Sequence, residues 1–360
     1  MNFKKRILIT PLNWGLGHAT RCIPIINALI EHNYEPVIAS DGIALEFLKK
    51  EFPDLESIEL PSYNIKYPKK GHRFKLKLLK DAPKILKVIK AEKKAIKSIL
   101  KRYEISGIIS DNRFGIYCKK IPSVYITHQL KVLSGSTTLI SSKMHRKIIK
   151  KFDECWIPDI ENEPNLSGEL GHLKNHDFNL KYIGPLSRFN TINCEIIYDL
   201  LVLLSGPEPQ RTIFEEQLLE QLKTYKGKVV FVKGIIEDQQ IISKKSHITI
   251  YNFMQSKELE KAINESDIVL SRSGYTTIMD LAKLNKKAFF IPTPGQFEQE
   301  YLAKRLQKLQ LVPSCNQMDF NMGMLNTVRN YNGLQSANLN INFKDLFSLF
   351  ESKRKLTSYS

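Results

Sequence analysis

The chain has 360 residues, 42% of them hydrophobic, and its 54 Lys and Arg residues against 37 Asp and Glu residues give a formal net charge of +17. This length suffices for two domains, and no apolar run reaches the roughly 18–20 residues that span a bilayer. Five scattered cysteines without CxxC spacing argue against a disulfide framework or a zinc site and favour a reducing cytoplasm.

The first half of the chain alternates short apolar runs with helical patterns, which is typical of parallel α/β sheets. Its basic start is followed by too short an apolar stretch for a signal peptide and is better interpreted as a first strand. A helix is predicted from about Arg21 to Glu31. Strands are predicted at Arg6–Thr10, Glu35–Ala39, Ser57–Leu60, Gly107–Ser110, Ser123–Ile126 and Glu154–Ile157.

A strongly basic segment lies between Lys66 and Arg102, with fifteen Lys and Arg residues against two acids. Its isoleucines recur at helical spacing, and Pro83 predicts a break or a helix start there. Such a helix either packs its apolar stripe on its own domain or lies on an anionic membrane surface. Nucleic acid is not expected as a partner because no aromatic residues are interleaved with the lysines.

The pattern breaks at residues 181–188 and then restarts, which predicts two doubly wound domains facing across a cleft. The predicted domains are 1–185 and 186–335, and residues 336–360 are expected to form a final helix and tail that crosses back to the first domain. Strands of the second domain are predicted at Leu200–Leu204, Val229–Val232, Ile248–Tyr251, Ile268–Leu270 and Ala288–Ile291.

Three turns of the second domain are suited to an anionic, hydroxyl-rich ligand. The turn Ser271-Arg272-Ser273-Gly274 precedes a helix for which Thr276 and Thr277 are candidate caps, and helix N-termini favour phosphate. Asp280 follows where a carboxylate can bind ribose hydroxyls. The other candidates are Ser205, Gly206 and Arg211 in the second turn and Glu298 and Gln299 after the third.

The first domain offers polar residues directly after three of its strands, where parallel α/β folds bind ligands. His18 follows Gly15 and Gly17 in the turn after the first strand. Candidate acceptor contacts are Asn112, Arg113, His128 and Gln129, and Asp111 is a candidate to orient His18.

The segments GLGHATR (15–21), NFM (252–254), SRSGYTTIMDLA (271–282) and PGQFEQEYLA (294–303) together resemble glycosyltransferase family 28, whose fold is GT-B. The resemblance implies that His18 is a general base and that Gly17 faces the donor. It implies that Phe253 and Met254 hold the base of a nucleotide, that Ser273 and Gly274 bind its phosphates, and that Glu298 and Gln299 contact the sugar.

These observations predict an inverting, metal-independent transferase that needs no cofactor and moves a sugar, N-acetylglucosamine by resemblance, from a UDP-sugar to a lipid-linked or envelope glycan. The absence of a DxD triplet favours the metal-independent route. The protein is expected to be cytoplasmic, and a peripheral location on the cytoplasmic face of the membrane is the alternative. The alternatives are a nucleotide-sugar epimerase of the same fold, a non-enzymatic basic scaffold, and a dehydrogenase, for which Gly15, Gly17 and Asp41 form an imperfect fingerprint.

Overall fold

The computed structural model describes residues 4–64, 74–206, 208–334 and 341–351, with only the helical backbone given for 74–82. The predicted basic segment and the predicted tail therefore lie partly outside the described residues. Within these ranges, no helix is both long and apolar enough to cross a bilayer.

Seven parallel strands form the first sheet, in the order β3-β2-β1-β4-β5-β6-β7. The apolar runs of its central strands are buried on both faces, as expected where helices cover a parallel sheet. The elements are β1 (Arg6–Pro11), α1 (Gly17–Glu31), β2 (Glu35–Ser40), α2 (Gly42–Glu51), β3 (Ser57–Glu59), α3 (Phe74–Arg102), β4 (Ile105–Asp111), β5 (Ser123–Ile126), α4 (Thr138–Ile149), β6 (Glu154–Ile157) and β7 (Leu180–Tyr182).

The second sheet has six strands in the order β10-β11-β9-β8-β12-β13, parallel except for β10. Its elements are β8 (Tyr198–Leu203), α5 (Gln210–Leu222), β9 (Val229–Val232), β10 (Ile242–Lys245), β11 (Ile248–Tyr251), α6 (Ser256–Asn264), β12 (Ser266–Ser271), α7 (Tyr275–Lys283), β13 (Lys287–Phe290), α8 (Phe297–Lys308) and α9 (Phe343–Glu351). The chain is thus an α/β protein of GT-B fold with two mainly parallel sheets.

The last helix, α9, packs against the first sheet although it follows the second in sequence. Lys5 Nζ donates a 3.0 Å hydrogen bond to the carbonyl of Phe350, whose side chain is 3% exposed. A Cβ added at Gly107 of β4 would lie 2.4 Å from Phe350 Cδ1. The ring of Phe350 therefore requires glycine at that position of the strand.

Two predicted helix boundaries are wrong, and two strands were not predicted. Helix α1 begins at Gly17 rather than Arg21, which places His18 in its first turn instead of in a preceding loop. Helix α3 continues through Pro83, where a break or a helix start was predicted, and α1 likewise contains Pro24 in its interior. The strands β7 and β10 were not predicted, since the first is three residues long and the second is exposed throughout.

Candidate active site

The centre of the site is a histidine–aspartate pair formed by two neighbouring strands. Strand β1 leads into the loop before α1, and β4 pairs with β1 so that Pro11 lies opposite Asp111, the last residue of β4. His18 Nδ1 lies 2.8 Å from Asp111 Oδ1. Arg21 Nη2 also lies 2.9 Å from His18 Nδ1, but it donates to Asp111 Oδ1. Because an ionised carboxylate only accepts hydrogen bonds, the pair with Asp111 places the proton on Nδ1 and leaves a lone pair on Nε2.

Arg21 holds the aspartate ionised. It lies one helical turn after His18 and donates to both carboxylate oxygens of Asp111, from Nε to Oδ2 at 2.5 Å and from Nη2 to Oδ1. Arg21 is 1% exposed and Asp111 is fully buried. Burial alone would raise the pKa of Asp111, but the charge of Arg21 and the contact with His18 lower it to about 2.

The same surroundings keep His18 neutral. Its side chain is only 15% exposed, and burial lowers the pKa of the imidazole below 6.5. Asp111 acts in the opposite direction, while the guanidinium of Arg21, 2.9 Å from Nδ1, again lowers the pKa. A partly exposed, neutral imidazole whose Nε2 carries a lone pair is suited to accept a proton near pH 7.

The pair lies at the contact between the two domains. The carbonyl of Gly17 accepts a 3.1 Å hydrogen bond from Thr276 Oγ1, and a Cβ at Gly17 would lie 3.0 Å from that oxygen. Tyr275 OH donates to the carbonyl of Pro158 at 2.9 Å. The N-termini of α1 and α7 therefore meet beside His18, and both helix dipoles favour negative charge there.

A second histidine bridges the domains. Arg21 Nη1 lies 2.9 Å from His128 Nδ1, and His128 Nε2 lies 2.7 Å from Glu298 Oε1 in the second domain. Gln129 Nε2 donates to Glu298 Oε2. The ring of His128 stacks on that of Tyr275 with centroids 4.3 Å apart. His128 and Gln129, which were predicted to contact the acceptor, thus contact Glu298, which was predicted to contact the donor sugar.

The predicted phosphate turn lies at the start of α7, but its caps differ from the prediction. Gly274 is the N-cap residue, and Ser273 Oγ donates to the carbonyl of Gln299 at 2.8 Å. Thr276 does not cap the helix, because its hydroxyl donates to the first domain, and no side-chain cap is formed by Thr277. Ser271 is buried at the end of β12.

Three arginines that were predicted to contact ligands bind to protein groups in the structure. Arg272 is 1% exposed, lies 4.0 Å over the ring of Phe214 and donates to the carbonyls of Ile291 and Pro292. Arg211 pairs with Glu208, which precedes its helix, and with Glu215 on that helix. Arg113 is fully buried between Asp41 and Glu92. Arg113, Arg211 and Arg272 are therefore bound by protein groups in this structure, and their predicted contacts with acceptor and phosphate stay predictions.

Other predicted residues hydrogen-bond to neighbouring protein groups. Asp280 is 8% exposed and accepts a 2.7 Å hydrogen bond from Ser187 of the interdomain connection, and burial raises its pKa to about 6 although Arg188 opposes the shift. Asn112 Oδ1 accepts from Tyr125. The side-chain oxygen of Gln299 accepts from the backbone of Thr293 at 2.8 Å.

A cavity of about 400 Å³ lies where the nucleotide base was predicted. Its lining includes Lys50 of the first domain and Phe253 of the second. Phe253 and Met254 are each 5% exposed, and the carbonyl of Phe253 accepts from Gln240. Ser205 and Gly206 follow β8, and Gly206 has a φ of +106°, which favours glycine.

Sequence reasoning missed Arg21 and Tyr275. Arg21 lies three residues after His18, and this spacing on a helix places both side chains on one face, so the H-x-x-R pattern was an available signal. Tyr275 had no such signal, because its contact with His128 joins residues of different domains.

Comparison with known proteins finds one family model that matches part of the chain. Residues 211–328 match the glycosyltransferase family 28 C-terminal domain. An uncharacterised glycosyltransferase of Methanopyrus kandleri is 23% identical over 310 residues, which cover 81% of this chain and 84% of that protein. The UDP-N-acetylglucosamine–N-acetylmuramyl-(pentapeptide) pyrophosphoryl-undecaprenol N-acetylglucosamine transferase of Clostridium tetani is 27% identical over 306 residues, or 80% and 78% of the two chains.

Solved structures share the fold at low sequence identity. A UDP-glucosyltransferase from Polygonum tinctorium superimposes with a TM-score of 0.61 at 12% identity, covering 98% of this chain and 99% of that one. An alignment of this extent includes both sheets and the junction between them.

Proposed function

We propose that the chain is a family 28 glycosyltransferase of GT-B fold that transfers N-acetylglucosamine from its UDP-sugar to a hydroxyl group of a lipid-linked or cell-envelope glycan. The observation that carries the chemistry is the His18–Asp111 pair beside the N-terminus of α7.

The reaction is a single displacement. The acceptor hydroxyl gives its proton to His18 Nε2 while its oxygen forms a bond to the anomeric carbon of the sugar. The bond from that carbon to the diphosphate oxygen breaks, and its electron pair leaves with the nucleotide. Attack opposite the leaving group inverts the anomeric configuration. Asp111 stabilises the imidazolium that forms, and Arg21 keeps Asp111 ionised.

The charge of the leaving diphosphate is met by backbone amides. The first amides of α7 lack helical partners, and Gly274 at the N-cap has no side chain to keep an anion away. Stabilisation by helix amides needs no metal, which agrees with the absence of a DxD triplet in the sequence. Glu298 is the sugar contact in this proposal, and Asp280 is the ribose contact.

We place the enzyme at the cytoplasmic face of a membrane. Helix α3 carries the basic residues of the segment 66–102 that the structure describes. Helix α4 exposes an apolar patch, defined by Leu139 (83% exposed), Ile140 (65%) and Met144 (60%). Lysine and arginine residues of α4 lie near these side chains, and apolar and cationic groups together favour an anionic lipid surface.

Two measurements test the function. In a thermal-shift screen of nucleotide diphosphates and UDP-sugars, we expect UDP and UDP-N-acetylglucosamine to stabilise the chain, because a ligand that binds only the folded state stabilises it by mass action. Release of UDP should then require membranes that contain lipid-linked glycan. Conversion of the UDP-sugar without an acceptor would indicate an epimerase, and no nucleotide preference would indicate a scaffold.

The base is tested by His18→Ala. We expect turnover to fall at least about 100-fold while donor affinity changes little, since a general base acts on the acceptor hydroxyl. Turnover close to that of the unchanged protein would refute the role of His18.

Asp280→Ala should instead weaken binding of UDP, and an unchanged affinity for UDP in calorimetry would exclude the ribose contact.

A further inference from the structure

An unbroken chain of hydrogen bonds joins the base to the opposite domain. It runs from His18 through Asp111 and Arg21 to His128 and ends at Glu298 of α8. Every bond in it measures 2.5–2.9 Å. The first four side chains belong to the first domain, so the bond between His128 and Glu298 is the step that crosses the junction.

The direction of these bonds is fixed by chemistry. Arginine can only donate, so His128 Nδ1 accepts from Arg21, and the ring proton must lie on Nε2. His128 Nε2 then donates to Glu298, which only accepts when ionised. Burial would raise the pKa of Glu298, but His128 and its other neighbours lower it. One imidazole thus satisfies a fixed donor on one domain and a fixed acceptor on the other.

We propose that His128 is a positioning residue that links the position of Glu298 at the domain junction to the basicity of His18. It holds Arg21 against Asp111 only when the two domains are closed. The inference rests on the proposed role of His18. When Glu298 withdraws, His128 loses the acceptor that orients it, and Arg21 loses its contact with Nδ1. Arg21 then binds Asp111 less tightly, and the carboxylate charge of Asp111 raises the pKa of His18 more strongly.

The test follows the titration of His18 by ¹⁵N nuclear magnetic resonance of the full chain with labelled histidines. The charged groups that face His18 are Asp111 of β4, Arg21 of α1, His128 after β5 and Glu298 of α8. A direct field effect and the proposed coupling predict opposite results for Glu298→Leu, which removes both the charge and the acceptor of His128. Loss of a nearby negative charge lowers the midpoint of His18, whereas release of Arg21 from Asp111 raises it.

We expect Glu298→Leu, which removes the acceptor of His128, and His128→Ala each to raise the midpoint of His18 by at least half a pH unit. His128→Gln should restore most of the original value, because its amide offers both an acceptor for Arg21 and a donor for Glu298. A midpoint that falls or stays unchanged in Glu298→Leu overturns the proposal, whether or not His128→Ala folds.

A matched control removes a different interdomain ion pair. Arg305 Nη2 lies 3.0 Å from Glu163 Oε2, and neither residue belongs to the chain of bonds. Glu163→Gln should leave the midpoint of His18 unchanged, and an equal rise there would overturn the proposal by showing that any loosened contact has the same effect. If His18→Ala retains turnover, the proposed function fails. If it loses turnover while Glu298→Leu leaves the titration unchanged, the coupling alone fails.

Discussion

Replacing Asp111 by asparagine separates the charge of this residue from its shape. Arg21 can only donate, so the asparagine oxygen is expected to turn toward Arg21 and its amide nitrogen toward His18. His18 Nδ1 must then accept a hydrogen bond, and the ring proton moves to Nε2. The imidazole presents a donor instead of a lone pair to the acceptor hydroxyl, and we expect turnover to fall at least about 100-fold.

The cost in stability follows from the same pair. Lowering the pKa of a fully buried Asp111 from 3.8 to about 2 corresponds to about 2.5 kcal/mol, at roughly 1.4 kcal/mol for each pKa unit. Because the folded pKa is depressed, this contribution is present above pH 4 and is lost as the pH falls toward 2. The substitution also leaves Arg21 buried without its carboxylate, and breaking such a pair costs about 3–5 kcal/mol.

The measurements are the free energy of unfolding in denaturant, turnover per folded molecule, and the tautomer of His18 from its ¹⁵N shifts. Asp41→Asn is the matched control, because Asp41 is likewise a buried aspartate, paired with Arg113 at 2.7 Å, and does not contact His18. It should destabilise the fold and leave the tautomer unchanged. Turnover of Asp111→Asn within about fivefold of the original, or a proton still on Nδ1, would refute the reasoning.

Three further predictions concern other parts of the chain. Asp280→Asn should raise the free energy of unfolding in denaturant by up to about 3 kcal/mol above pH 6. The folded pKa of Asp280 is raised from 3.8 to about 6, so ionisation of the buried carboxylate destabilises the fold, and the gain should vanish below pH 4. Serine at all three positions of the apolar patch of α4 should reduce sedimentation with anionic vesicles severalfold and leave the melting temperature unchanged, and undiminished sedimentation would exclude the patch. Gly107→Ala should cost about 1–3 kcal/mol by overpacking against Phe350, and Phe350→Leu in the same chain should recover part of it; an unaltered melting temperature would show that α9 does not pack there in solution.

The sequence by itself determined the elements and their type. Continuous apolar runs such as Ile7–Ile9 occur in strands buried on both faces, and alternation with helical patterns favours a mainly parallel arrangement, so two doubly wound sheets were predictable. The fold also places residues that follow neighbouring strands at one edge, which is why His18 and Asp111 could be associated without coordinates.

Tertiary structure alone decided which polar side chains are free. Arg113 and Arg272 follow strand ends as His18 does, but carboxylates or carbonyls from distant segments surround them, and no local pattern records those partners. The bond between His128 and Glu298 joins residues 170 positions apart. A hydrogen bond depends on distance and direction in space, whereas helix and strand patterns depend only on neighbours along the chain, and the assignment of site residues therefore required the folded molecule.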